Sequence, residues 1–87
     1  MDNKIYLLQF KVNDDKILVS RIKLLFTSWM NYFGHSWIIQ TPLSAKEIYD
    51  KLSVGYENDS MFIIELKADH WGRMDPKVWD WLKKYVR

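Results

Sequence analysis

The sequence predicts an α+β domain with a four-stranded antiparallel sheet. Residues 28–41 read as two short β-strands separated only by Gly34-His35, a two-residue loop that suits a tight hairpin. A strand pattern and a helix pattern precede this hairpin, and a helix pattern and a strand pattern follow it. The resulting order, β-α-β-β-α-β, is the split arrangement of ferredoxin-like domains.

The first strand is predicted over residues 4–12, where apolar side chains alternate. One face is wholly apolar and indicates core, and the other is half apolar. The first face carries Tyr6, Leu8, Phe10 and Val12, and the second carries Ile5, Leu7, Gln9 and Lys11. Asn13-Asp14-Asp15 then supply turn and N-cap chemistry for a first helix, which is expected to end near Phe26 or Thr27.

Two independent signals mark the start of the second helix. Ser44 and Glu47 have the spacing of a capping box, and Leu43 and Ile48 have the spacing of a hydrophobic staple. Gly55 is the expected C-terminal cap.

The last strand repeats the half-apolar design of the first. Because these two strands are neighbours in a ferredoxin-like sheet, the helix-free face of the sheet is predicted to be half apolar and to need a cover. A second copy of the chain, packed face to face, is one candidate cover and would form an isologous dimer. The residues expected on this dimer face are Ile5, Leu7, Met61 and Ile63.

A C-terminal helix is the other candidate cover. Asp75-Pro76 is an N-cap followed by a proline at the first helical position, and an apolar stripe continues over about residues 76–86. Trp81 lies away from the centre of this stripe and is a candidate anchor for a protein interface.

The composition indicates a single folded domain. Of the 87 residues, 48% are hydrophobic and 16% are aromatic, and no apolar run approaches the ~18 residues of a membrane span. The chain contains no Cys, which excludes disulfides and zinc–thiolate sites. The N-terminal segment lacks the small-residue cleavage region of a signal peptide, so a cytoplasmic location is expected.

The formal net charge of +2 is small for a protein that binds the phosphate backbone. Basic residues nevertheless cluster in the first helix and near the C-terminus. Acidic residues are interspersed with them, which favours solvated faces over a binding surface. The clusters are Lys16, Arg21 and Lys23, and Lys77, Lys83, Lys84 and Arg87.

The predicted hairpin is rich in aromatic residues. Trp29, Tyr32 and Trp37 could form a stacking platform of the kind that binds single-stranded nucleic acid. The more common role of such residues is packing in the core or at an edge, with Trp29 and Trp37 paired across the hairpin. A protein interface is a third role that the sequence leaves open.

Catalytic signals are near background. His35 and His70 are the only histidines, and no spacing of His, Asp and Glu matches a metal-ligand template. His35 is interpreted as a polar turn residue. Segment 69–73 is a predicted loop that brings together an acid, an imidazole and a guanidinium but no nucleophile. His70, Trp71 and Arg73 are therefore candidate binding residues.

The chain resembles, over nearly its full length, a group of small bacterial proteins labelled SinR-like. The segments that carry the resemblance are IYLLQF, SWMNYFGHSWIIQT, TPLSAKEIYDKL, NDSMFIIELKADHWG and WDWLKKYV. These proteins are similar in turn to VapD-type proteins and to the CRISPR-associated small ferredoxin-like subunit of the spacer-integration complex. The resemblance implies a β-α-β-β-α-β homodimer. In catalytic members, an Asp at the end of the first strand helps bind a metal for phosphodiester cleavage.

The chain departs from this pattern at the metal site that the resemblance implies. Relatives typically read Tyr-Asp-Leu there, whereas this chain reads Phe10-Lys11-Val12. The ammonium group of Lys11 has no lone pair for Mg²⁺ and would repel the ion. The substitution argues against metal chemistry at this position.

The sequence therefore predicts a non-catalytic, homodimeric ferredoxin-like module that binds a protein or nucleic acid, with no cofactor, metal or small-molecule substrate. One alternative is a metal-dependent endonuclease that uses Asp14, Asp15 or Asp69. Another is a small regulator from a mobile element or a toxin–antitoxin pair. The candidate binding residues are Trp29, Tyr32, Trp37, Lys11, His70, Trp71, Arg73 and Trp81.

Overall fold

The computed structural model describes residues 3–67 and 76–85 and, for residues 32, 33 and 85, the backbone alone. The described residues form four strands, all paired antiparallel in the order β2-β3-β1-β4, and three helices. The predicted α+β class with a four-stranded antiparallel sheet is confirmed. In chain order the elements are β1 (Lys4–Lys11), α1 (Lys16–Leu25), β2 (Ser28–Phe33), β3 (Ser36–Thr41), α2 (Ala45–Leu52), β4 (Ser60–Leu66) and α3 (Pro76–Tyr85).

The hairpin between β2 and β3 turns at Gly34 and His35, as predicted. Gly34 has a φ of +48°, which a residue without a Cβ adopts at little cost. The Asn31 side-chain amide donates hydrogen bonds to the carbonyl oxygens of Gly34 (2.9 Å) and Ser36 (3.1 Å). These bonds hold the turn closed.

The helix α1 follows the predicted turn, but only one of the two carboxylates caps it. The Lys16 amide donates to Asp14 Oδ1 at 3.2 Å, whereas the side chain of Asp15 makes no capping bond. The helix ends at Leu25, with Phe26 as its C-cap. Asp15 is thereby left to interact elsewhere.

The helix α2 begins with the predicted capping box. The Glu47 amide donates to Ser44 Oγ, and the Ser44 amide donates to Glu47 Oε1, both at 3.1 Å. Its C-cap is Ser53 instead of the predicted Gly55. Gly55 lies two residues further on, at a φ of +88°, and its amide donates to the Glu57 carboxylate at 3.0 Å.

The main core lies between one face of the sheet and the pair of helices α1 and α2. Tyr6 anchors the loop before α2, because its hydroxyl donates to the Leu43 carbonyl at 2.8 Å. The buried members are Tyr6, Leu8, Phe10, Val12, Leu18, Ile22, Phe26, Trp37, Ile39, Ile48 and Leu52.

The prediction that Met61 and Ile63 share a face with Ile5 and Leu7 is wrong. Residues directly opposite each other in antiparallel strands project to the same face. The register places Ile63 opposite Leu8, so Met61 and Ile63 pack against the main core. Because both faces of β4 carry apolar side chains, the alternation of side chains along this strand does not show which face meets the helices.

The helix α3 covers part of the opposite sheet face, where it forms a second cluster. Ile5 is buried there, which removes it from the predicted dimer face. Trp81 is half-buried against the same cluster. The buried members are Ile5, Ile38, Val78 and Leu82, and those partly buried against them are Leu7, Met30, Leu66, Trp79 and Trp81.

Beyond α3 the same face carries two exposed apolar residues of β4. Phe62 is 58% exposed and Ile64 is 44% exposed. Among the described strands, β4 pairs with β1 alone, so it forms an edge of the sheet. Within the part of the chain that the structure describes, no helix is long and apolar enough to cross a membrane.

Candidate binding groove beside the hairpin

A groove of about 630 Å³ runs between α1 and the edge strand β2. The helix side is polar, because Lys16, Ser20 and Lys23 recur at i, i+4 and i+7 on one face of α1. The opposite face of α1 buries its apolar side chains in the main core. The hairpin side of the groove is formed by Trp29, Asn31 and Trp37.

The two tryptophans lie next to each other across the hairpin, as predicted. Their ring centroids are 5.5 Å apart and their planes are inclined by 53°. The register places Trp37 opposite Asn31, so Trp29 is its diagonal neighbour on the same face. Trp37 is only 4% exposed, whereas Trp29 is 38% exposed. Trp37 therefore forms the floor of the groove, and Trp29 presents an aromatic surface to solvent.

A cation lies over this aromatic surface. Lys23 Nζ is 5.3 Å from the centre of the Trp29 ring, within the range of a cation–π interaction. Lys16 lies two turns earlier on the same face of α1. The groove thus combines an accessible indole ring with two ammonium groups.

The indole N–H of Trp37 is buried together with its ring. Trp37 Nε1 is buried and has no hydrogen-bond acceptor among the residues that the structure describes. Buried donors in native proteins are nearly always paired with protein or water.

Asp15, which lines the groove, is in contact with His35 of the hairpin turn. His35 Nε2 lies 3.1 Å from Asp15 Oδ2, and the imidazole stacks on Phe10 with centroids 4.7 Å apart. His35 is therefore more than the polar turn residue that the sequence predicted, because it joins the hairpin to the start of α1. The pairing of Gln9 with Ser36 explains this contact, since it brings the hairpin turn beside the end of β1.

A smaller cleft of about 390 Å³ lies on the other side of His35, on the sheet face that α3 partly covers. Lys11, Ser60 and Phe62 contribute to its lining. Lys11 is exposed at the end of β1, where the family resemblance implied a metal-binding Asp. Over residues 3–67 and 76–85, no three His, Asp, Glu or Cys side chains are grouped so as to hold a metal ion.

The basic cluster predicted in the first helix is divided between two sides of α1. The Arg21 guanidinium donates hydrogen bonds to the carbonyl oxygens of Leu52 (3.1 Å) and Val54 at the end of α2. Lys16 and Lys23 face the groove instead. The two lysines were predicted as part of a basic cluster. Their position beside the tryptophans was not predicted, because it depends on how α1 lies against β2.

Of the remaining predicted site residues, the structure places Trp81 away from the groove. Trp81 lies on α3, on the opposite side of the sheet. The side chain of Tyr32 lies outside the described residues, as do His70, Trp71, Arg73 and Asp69.

Comparison with protein-family models, curated proteins and solved structures finds no significant match to this chain. The resemblance to SinR-like proteins therefore stays a prediction.

Proposed function

We propose that the protein is a non-catalytic module with a ferredoxin-like fold, extended by α3, that binds single-stranded nucleic acid in the groove between α1 and β2. The element order and the strand order β2-β3-β1-β4 support this fold. The observation that carries the function is the combination of Trp29 with Lys16 and Lys23 in one groove.

The chemistry of the groove suits a nucleotide better than a purely apolar ligand. A base stacked on an aromatic side chain contributes about 1–3 kcal/mol, and any base can do so because every base has a π-face. The indole of Trp29 supplies that surface. Lys23 is flexible enough to move from the ring to a phosphate when a base takes its place.

The spacing of the two lysines suits a chain of phosphates. With a rise of 1.5 Å per residue, the Cα atoms of Lys16 and Lys23 are separated by about 10 Å along α1. The two ammonium groups therefore contact different phosphates of an extended strand. Two such contacts predict modest affinity and a slope of log K against log salt of about −1.4.

Fluorescence anisotropy with labelled single-stranded RNA, single-stranded DNA and duplex DNA tests this function at low and moderate salt. We expect the single strands to bind more tightly than the duplex. Removal of the stacking surface in Trp29→Ala should weaken binding by about 5- to 150-fold. Lys23→Ala should reduce the salt slope by about 0.7.

Lys51→Ala is the matched control, because it removes the same charge from an exposed position on α2. It should leave both affinity and salt slope unchanged. Circular dichroism should show that each variant is folded. Equal loss of binding in Lys51→Ala and Lys23→Ala would contradict the assignment of the groove. Cleavage of the single-stranded RNA or DNA in the presence of Mg²⁺ or Mn²⁺ would contradict a non-catalytic role.

A further inference from the structure

We infer that the outer edge of β4 pairs with β4 of a second copy of this chain, in one defined antiparallel register. Within the described residues, β4 is hydrogen-bonded to β1 only. No described strand lies on the outer side of β4, and an edge that carries apolar side chains favours pairing with a further strand. Phe62 and Ile64 supply those side chains.

The register follows from the two-fold symmetry of a dimer. A two-fold axis perpendicular to the sheet keeps equivalent side chains of the two subunits on the same face of the joined sheet. Such an axis passes beside one residue of β4, and that residue then lies directly opposite the same residue of the partner subunit. With the axis beside Ile63, Phe62 lies opposite Ile64 of the partner subunit. The same register places Asp59 opposite Lys67 of the partner subunit. Each of these two pairs occurs twice in the dimer.

The neighbouring registers are less favourable. With the axis beside Phe62, Asp59 would lie opposite Glu65 of the partner subunit, and these like charges repel. With the axis beside Ile64, Lys67 would lie opposite Met61 of the partner subunit, so that the pair between Lys67 and Asp59 is lost. Of these three registers, the one centred on Ile63 alone pairs Asp59 with Lys67 of the partner subunit and Phe62 with Ile64 of the partner subunit, although it also places Glu65 opposite Met61 of the partner subunit.

The charges at the ends of β4 are compatible with this register. Lys67 Nζ lies 3.0 Å from Glu65 Oε2 on its own strand, and its side chain is 75% exposed. Asp59 immediately precedes β4 and is also exposed. Lys67 can therefore approach Asp59 of the partner subunit while it remains close to Glu65.

The pairing would join two sheets into one of eight strands. Because β2 forms the opposite edge of each sheet, the two hairpin grooves lie at the far ends of the assembly and stay open. The dimer is independent of the proposed function, but it would present two binding grooves to one ligand. Two linked sites bind a long strand with higher avidity than either site alone.

Sedimentation velocity of the full chain over a range of concentrations tests the dimer. We expect a monomer–dimer equilibrium. Asp59→Lys and Lys67→Asp should each weaken it by about 3- to 30-fold, because two cross-strand ion pairs become like-charge pairs. The double variant restores opposite charges and should recover most of the lost affinity. A monomer at every concentration, or a dimer indifferent to the single charge reversals, would overturn the inference.

A cysteine cross-link tests the register separately. The chain has no native Cys, so Ile63→Cys introduces a single thiol that faces its own copy across the axis. Directly opposite Cα atoms in antiparallel strands lie within the range that a disulfide spans. Mild oxidation should yield a covalent dimer, whereas Ser20→Cys on α1 should not. Equal cross-linking of the two variants would exclude the register.

These tests are distinguishable from those of the groove. Trp29→Ala should leave the dimer intact, and Lys67→Asp should leave intact the affinity for an oligonucleotide that is too short to span two grooves.

Discussion

At the scale of single residues, Tyr6 shows how a polar group is held in the main core. Its ring is almost fully buried and its hydroxyl donates to the Leu43 carbonyl just before α2. Burial, and to a smaller extent the charges of Glu65 and Glu47, raises the pKa of Tyr6 above its usual value. The hydroxyl therefore stays neutral and can keep donating.

Tyr6→Phe should lower the free energy of unfolding by about 0.5–1.5 kcal/mol, because the Leu43 carbonyl loses its donor while the ring remains in place. Urea denaturation followed by circular dichroism measures this difference. Tyr49→Phe is the matched control at an exposed position and should have little effect. Equal losses in the two variants would contradict the role assigned to the buried hydrogen bond.

The raised pKa of Tyr6 also predicts a dependence on pH. The unfolded chain loses the phenolic proton near the ordinary value of 10, before the folded protein does. The contribution of the neutral Tyr6 hydroxyl to the free energy of unfolding is therefore fully present below that pH, and it is lost as the pH rises above it. The fall should be smaller in Tyr6→Phe than in the wild-type protein.

At the scale of secondary-structure elements, α2 is the helix whose start is defined most fully by local sequence. The reciprocal bonds between Ser44 and Glu47 satisfy two backbone N–H groups at the start of the helix. No contact with the rest of the chain is needed to form them. This is why the capping box could be identified from the sequence alone.

Ser44→Ala should destabilise the protein by about 1 kcal/mol, because the Glu47 amide loses its acceptor. Thermal or urea unfolding gives this value. Glu47→Gln keeps a side-chain oxygen that can accept from the Ser44 amide, so its effect should be smaller. A larger loss in Glu47→Gln than in Ser44→Ala would show that the capping box is not the main interaction at this position.

At the scale of the whole molecule, the sheet carries an apolar cluster on each face, and α3 completes the second one. Val78 and Leu82 of α3 are as buried as residues of the main core. Ile5 and Ile38 of the sheet would otherwise be exposed to water. We therefore expect α3 to unfold together with the rest of the chain.

Leu82→Ala should reduce the free energy of unfolding by about 2–5 kcal/mol, because it leaves a cavity between α3 and the sheet. Leu24→Ala is the matched control, since Leu24 is 86% exposed on α1, and it should be nearly neutral. Tryptophan fluorescence and far-UV circular dichroism should report coincident transitions. A separate early transition would show that α3 undocks independently.

The site was predictable only in part, as its residues illustrate. The contact between Trp29 and Trp37 followed from the hairpin, because it depends on residues close in sequence. The contact of His35 with Asp15 was missed, although the antiparallel pairing of β1 with β3 would have indicated it. The approach of Lys23 to Trp29 depends on the position of α1 over the sheet, which no local pattern encodes.

The sequence by itself determined the α+β class with its four-stranded antiparallel sheet, the Gly34 turn and the capping box at Ser44. All of these depend on backbone conformation and on side chains a few residues apart. The tertiary structure decided which face of β4 meets the helices, that α3 covers Ile5, and that a tryptophan and two lysines share one groove. Those outcomes depend on packing between distant segments, where several arrangements satisfy the same alternation of polar and apolar residues.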